Sequence, residues 1–307
     1  MGTDGSLLLG SDIGTTLTKT VLVDLSGRVI AAASAEYGVI HPRPLWAEQW
    51  PAVWVDAFVA TVRDVLERSG VRPEEIVGVG VSGLYGGSGI PVDRGMQAIR
   101  PCMIWMDRRA VEEVAWIREN IDLDRLFEIS GNGVDSYHGF TKILWMKRNE
   151  PDLWGRVHKL VTPHGFIIHR LTGETAIDQS SAGNIGGVFD LGARAWSEES
   201  CDALGIPIGM LPERIVDSSE VVGTVTSEAA AMTGLAPGTP VVSGGIDAAV
   251  ATFSAGAFDE GNHVAMIGTS MCWGVVHSGA SVSPRLVSMP YVAHPSERVY
   301  TFGGAAT

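Results

Sequence analysis

Two short turns of the same chemistry stand near opposite ends of this 307-residue chain. Asp12-Ile13-Gly14-Thr15-Thr16 follows the apolar run Leu7-Leu8-Leu9, and Gly268-Thr269-Ser270 follows Val264-Ala265-Met266-Ile267. Each reads as strand, Gly-Thr turn, strand. A glycine at a hairpin tip lets backbone N–H groups come close to a phosphate; hydroxyls add donors, and a neighbouring carboxylate can hold hydrated Mg²⁺. One such turn is common. Two at equivalent strand junctions constrain the fold, because tips facing each other across a cleft would grip a nucleotide triphosphate from both sides.

The pattern between them is strand-rich first and alternating afterwards. Strands are predicted near residues 7–13, 19–24 and 28–37, with Ser26-Gly27 as a turn. A helix is predicted over Pro51–Ser69, with Pro51 in its first turn, Trp54, Phe58, Val62, Val65 and Leu66 on one face, and Gly70 at its end. A buried strand follows near residues 76–81. Further helices are predicted near residues 109–119, 140–148 and 165–171, the last closed by Gly173. This order predicts an α/β sheet covered by helices. Gly234, Pro237, Gly238 and Pro240 mark a boundary or hinge, after which come a Val241-Val242 strand, a Ser243-Gly244-Gly245 turn and a helix from Asp247 to about residue 254.

Charge narrows the partners. A formal net charge of -13 repels nucleic-acid phosphates and anionic membranes, and no basic run offers a local exception. Neither nucleic acid nor membrane is expected as a partner. The cysteines Cys102, Cys201 and Cys272 are far apart and form no Cys-x-x-Cys pair, which predicts reduced, packed thiols and a cytoplasmic location. No apolar run approaches the ~18 residues needed to span a bilayer. The start Met1-Gly2-Thr3-Asp4-Gly5-Ser6 fits the loose myristoylation pattern, but the first strand begins directly behind it.

Asp247 sits at a glycine-rich strand-to-helix junction. One reading makes it a helix N-cap; the other makes it a general base that accepts the proton of an attacking hydroxyl. Gly78-Val79-Gly80-Val81-Ser82-Gly83 fits Gly-x-Gly-x-x-Gly, yet Leu84-Tyr85-Gly86-Gly87 behind it cannot open a helix, so dinucleotide binding is rejected. There is no Walker A sequence. His164 and His169 lack metal-ligand spacing and read as packing or surface residues. The tryptophans, Trp46, Trp50 and Trp54 among them, read mostly as core. Trp105 differs, because Ile104-Trp105-Met106-Asp107-Arg108-Arg109 offers an aromatic face and charged groups suited to a carbohydrate, with Asp107 as a plain helix cap the alternative.

Taken together these segments resemble the FGGY family of carbohydrate kinases, within the actin-like ATPase superfamily. The resemblance runs through nearly the whole chain. It includes the turn at Asp12, the segment Pro44-Leu45-Trp46-Ala47-Glu48-Gln49-Trp50-Pro51, the stretch Trp105-Met106-Asp107-Arg108-Arg109-Ala110 and Phe140-Thr141-Lys142 leading to Leu144-Trp145. Leu171-Thr172-Gly173-Glu174, Gly244-Gly245-Ile246-Asp247-Ala248 and Gly268-Thr269-Ser270 complete it. It implies an α/β, ribonuclease H-like (actin-like ATPase) sheet flanked by helices in a two-lobed protein, divided here as residues 1–240 and 241–307, with the second lobe incomplete.

The implied activity is ATP-dependent phosphorylation of a sugar or polyol hydroxyl. By position Asp247 matches the catalytic base and Asp12 the residue near Mg²⁺, acting through water. Gly14, Thr15, Thr16, Lys19, Gly268, Thr269 and Ser270 match the ATP contacts, and Tyr85, Trp105, Asp107, Arg108 and Asp247 fall where the sugar would sit. Leu84-Tyr85-Gly86-Gly87 departs from the glycerol-kinase and bacterial xylulose-kinase patterns at that place, while Trp-Met-Asp-Arg-Arg-Ala points to a ketopentose such as xylulose or ribulose. Trp50 stands where Asp is usual, which implies a changed helix cap. Family members continue beyond the equivalent of Thr307 through the part that holds adenine, so a catalytically impaired sugar-binding remnant is the alternative, and an actin-like ATPase with protein partners a third. A homodimer is left open.

Overall fold

The computed structural model describes residues 6–267, 270–279 and 282–306. Its opening is an antiparallel meander of strands Leu7–Ile13, Leu17–Asp24 and Val29–Glu36. The first strand alternates buried Leu7, Leu9, Ser11 and Ile13 with more exposed positions, the period-two pattern of a strand. Helix Pro51–Ser69 then crosses over the sheet. Trp54, Phe58, Val62 and Val65 lie along one of its faces and are fully buried against Leu9, Ile13 and Leu22. Gly70 ends the helix in the left-handed conformation. Trp50 is its N-cap with no side-chain cap bond, and its ring is exposed rather than core.

Strand Ile76–Gly83 follows and pairs parallel with the first strand. The whole Gly78-to-Gly83 fingerprint lies inside this strand, which is the physical reason it cannot cradle a dinucleotide. Farther out come Pro240–Val242, parallel to it, and the edge strand Val221–Thr224. Gly245–Ile246 also pairs with Ile76–Gly83, completing a seven-stranded sheet. Helices Pro51–Ser69, Pro163–Thr172 and Ser227–Thr233 pack together on it.

A second core forms around Phe140, Ile143, Met146, Ile185 and Phe189, contributed by helices Gly139–Asn149 and Gln179–Ile185 and the turn after them. Helices Leu123–Ser130, Gln179–Ile185, Glu198–Leu204 and Ser227–Thr233 have no counterpart in the sequence prediction. Each is eight residues or fewer, too short for a 3.6-residue period to stand out.

The composition break near residue 240 does not separate two sheets. Val241 pairs with Val79, and Gly245 and Ile246 pair with Ser82 and Gly83, so residues 241–246 complete the first sheet rather than begin a second. Helix Asp247–Ser254 follows, and then a separate four-stranded antiparallel sheet in the order His263–Ile267, Ser270–His277, Val299–Ala306, Val287–Pro290. Gly268 and Thr269, the tip of the second expected turn, lie outside the described residues.

Gly244 controls how the chain enters the site. Its φ is 67°, and a Cβ there would run into the Val81 carbonyl oxygen. Gly244→Ala should therefore lower unfolding stability by about 1–3 kcal/mol or more, readable as a lower urea midpoint.

Candidate active site

Asp12, Ser82 and Gly245 lie in one row across three neighbouring strands. Adjacent strands are ~4.8 Å apart, so this row carries Asp12 close to Asp247, two residues beyond Gly245. The Ser82 hydroxyl donates to Asp12 Oδ1 at 2.7 Å. Asp247 is the first residue of its helix, behind Ile246 as N-cap, and its Oδ1 accepts from the Ala248 N–H at 2.7 Å. It is thus neither a conventional cap nor fully satisfied. Burial first, and the Asp12 charge second, push its carboxyl up to about 7, against the Ala248 hydrogen bond.

Asp247 lines a cavity of about 870 Å³ together with Thr15, Tyr85, Trp105 and Arg108. The Trp105 indole N–H donates to Thr15 Oγ1 at 3.0 Å, and the Trp105 backbone N–H donates to the Tyr85 carbonyl at 3.0 Å. Turn, aromatic platform and glycine-rich loop are therefore tied together. Tyr85 and Tyr137 pack with ring centroids 5.0 Å apart. Burial holds both phenols above their ordinary range, so they stay neutral hydrogen-bonding groups. Beneath them Lys142, fully buried, donates to the Tyr137 carbonyl at 2.6 Å, and burial pulls its ammonium down to about 7.

Other expected residues take different places. Gly14 N–H donates to the Leu17 carbonyl at 3.0 Å and closes the turn, and a Cβ there would stand 2.9 Å from the same oxygen. Its contribution is close approach, and its N–H is already spent inside the turn. Asp12, Thr16 and Lys19 are not among the cavity-lining residues, although Lys19 is registered opposite Asp12. The Ser270 backbone lies in its strand.

Asp107 does not reach the cavity. It is 0% exposed; its carboxylate accepts from the Ala47 N–H at 2.8 Å and is gripped by the Arg109 guanidinium at 2.7 Å. Arg109 also bonds Glu48, which bonds Arg100, and it stacks 3.6 Å from the centroid of the Trp46 ring. This buried ion-pair cluster supports the Trp105 loop from behind. Arg108 does line the cavity, paired with Asp135 at 2.6 Å.

Sequence reasoning missed the Val134-to-His138 wall, where Asp135, Tyr137 and His138 sit together. A polar, aromatic cluster directly before a helix was the available signal. Cys102 and Cys201 are buried as expected, whereas Cys272 is half-buried on the cavity wall, its thiol pushed up to about 11 by burial. Among the described residues no group of three or more His, Cys, Asp or Glu is placed to hold a metal, and no helix is long and apolar enough to cross a membrane.

The sheet, a meander joined by parallel strands reached through a helical crossover, has the topology of an actin-like ATPase lobe, and its glycine-threonine turn lies beside the cleft. The family model for the FGGY family of carbohydrate kinases, N-terminal domain, matches residues 7–254. The chain belongs to the FGGY family of carbohydrate kinases. It is 31% identical over 266 residues to a xylulose kinase of Bacillus subtilis (strain 168), covering 86% of this chain and 52% of the relative. It is 32% identical over 255 residues to an L-fuculokinase of Escherichia coli (strain K12), covering 82% and 52%. The solved xylulose kinase from Rhodospirillum rubrum matches with a TM-score of 0.91 at 30% identity, over 98% of this chain and 61% of that one. The chain spans about half the length of the curated relatives it matches.

Two outcomes follow from this geometry. The folded state holds the Asp247 proton to higher pH than the unfolded chain does, so ionisation of Asp247 costs the folded state increasingly between the two pKa values. Asp247→Asn should therefore raise unfolding stability by on the order of 2 kcal/mol more at pH 8 than at pH 5, measured by urea unfolding without divalent cations. Arg109→Met leaves Asp107 and Glu48 without their shared guanidinium and should cost about 3–5 kcal/mol in the same measurement at pH 7.

Proposed function

We propose that the chain binds a sugar in this cavity and phosphorylates one of its hydroxyls from ATP, with Asp247 as general base. What carries the reading is one observation. Asp247, with a carboxyl raised to about 7, shares a cavity with the Thr15 turn and the Tyr85–Trp105 aromatic wall. A base of that strength is half or more ionised at neutral pH and able to accept a hydroxyl proton. Phosphoryl transfer depends mainly on positioning and charge neutralisation, so a carboxylate held at the right place suffices.

In this reading Trp105 and Tyr85 pack the C–H face of the sugar, and Arg108 offers donors to its hydroxyls. Thr15 and Thr16, with Lys19 and Gly268, Thr269 and Ser270, hold the nucleotide phosphates. The donor set around Asp12 fits Mg²⁺ held largely through water. Asp12 Oδ1 is taken by Ser82, and the Asp12 charge already raises Asp247, so a cation between the two carboxylates would relieve that repulsion. When bound, the ion supplies charge neutralisation to the transferred phosphoryl group. On the same view residues 7–254 form the sugar- and phosphate-binding lobe, and the four-stranded sheet opens the nucleotide lobe. A ketopentose such as xylulose or ribulose is the proposed acceptor, supported by the Trp-Met-Asp-Arg-Arg-Ala stretch at Trp105 and by relatives named xylulose kinase.

A coupled assay for ADP formation over ketopentoses, ketohexoses and polyols tests this. Turnover should require a sugar, rise with pH through a single ionisation no higher than about 7, since a bound cation would offset the Asp12 charge, and fall by at least about a thousandfold in Asp247→Ala, which should remain folded. Unchanged turnover in that variant would sink the assignment. Sugar binding in calorimetry without any ADP formation would instead identify a sugar-binding remnant, and sugar-independent ATP hydrolysis an ATPase.

A further inference from the structure

Behind the cleft a line of hydrogen bonds runs through buried polar side chains that the proposed chemistry leaves unused. His164 is 2% exposed and Asp178 0%. His164 Nε2 lies 2.9 Å from Asp178 Oδ2. The other carboxylate oxygen, Oδ1, accepts from the Ser181 N–H at 2.9 Å and from the Ser180 hydroxyl. The Ser180 oxygen in turn accepts from the Ile246 N–H at 3.2 Å, and Ile246 is the residue before Asp247. The line thus joins helix Pro163–Thr172, helix Gln179–Ile185 and strand Gly245–Ile246.

Its polarity is determined. Burial by itself raises the Asp178 carboxyl, but the bonds from His164, Ser180 and Ser181 outweigh it and hold the group below its ordinary range, hence ionised. An ionised carboxylate only accepts, so Ser180 must spend its single proton on Asp178 and keep its lone pairs for Ile246. This is no nucleophile arrangement, because Ser180 directs its proton to the carboxylate rather than to the imidazole. The Asp247 segment is also held from its other side. Ile246 is registered with Gly83, and His164 packs so tightly on Gly83 that a Cβ there would stand 3.1 Å from His164 Nδ1. The same His164 therefore braces both strands that meet at the base.

We propose that His164, Asp178 and Ser180 are positioning residues that hold the Ile246 peptide, and through it the Asp247 carboxylate, against the sugar hydroxyl. This rests on Asp247 being the base. None of the three touches the reacting atoms; they act on where Asp247 stands.

Ser180→Ala removes both the acceptor for Ile246 and the donor to Asp178. A displacement of about 1 Å at a reacting group costs on the order of 100-fold, so kcat should fall roughly 10- to 100-fold in this variant. The sugar dissociation constant from calorimetry should stay within about threefold, since uniform binding is untouched. Ser180→Thr keeps the hydroxyl and should retain most of the rate, and Asp178→Asn, which weakens the acceptor at nearly unchanged shape, should lower kcat in the same direction. Wild-type kcat in Ser180→Ala, or a rate loss only in step with sugar affinity, overturns the proposal. A wild-type chain that forms no ADP fails the kinase reading instead, and amide exchange then decides the clamp. Exchange at Ile246 at least about tenfold faster in Ser180→Ala, with Val79 unchanged, upholds it as a local opening; unchanged protection at Ile246 overturns it.

Discussion

Everything at the site depends on strand Ile76–Gly83 being shared. On one side it carries Leu7–Ile13 in parallel, and on the other Val241 and Gly245–Ile246. Two segments more than two hundred residues apart in the chain are thereby set two strand spacings apart, and their carboxylates, Asp12 and Asp247, come within each other's field. The backbone ladder makes this placement rigid, because a one-residue slip would turn each side chain to the opposite face. Gly244 lets the second segment approach at the cost of a conformation few residues adopt.

Aspartates in this protein have opposite fates according to what surrounds them. Asp107 is enclosed with Arg109, Glu48 and Arg100, its charge matched and its oxygens occupied. Such a cluster holds a loop in place and has no capacity left for a ligand. Asp178 is equally buried but satisfied by hydroxyl, amide and imidazole. Asp247 alone of the three is desolvated beside a like charge with a single backbone donor, and its proton affinity rises accordingly. The difference between a carboxylate locked into the scaffold and one whose proton affinity is raised lies in the partner list, not in the residue type.

The meander, the Pro51–Ser69 helix with its Gly70 stop and the central strand were legible because each has a long, regular pattern or a strong terminator. Asp12, Thr15, Tyr85, Trp105, Arg108 and Asp247 were legible as candidates because each stands in a distinctive local run. What failed was anything set by a distant partner. The break at residue 240 looked like a domain boundary because glycine and proline mark loops, yet the strand after it completes the first sheet. Asp107 looked free because Ala47 and Glu48, which enclose its pair, lie some sixty residues earlier.

The sequence by itself determined the long, regular elements and the family, and it supplied candidates for the chemistry-bearing residues, since these follow from short-range pattern and from residue type. Only the tertiary structure decided which of those residues share a cavity, that Gly14 spends its N–H on its own turn, and that a buried His-Asp-Ser line ends on the peptide before Asp247. Burial, charge proximity and hydrogen-bond direction are properties of neighbours in space, and strand pairing chooses those neighbours across long stretches of chain.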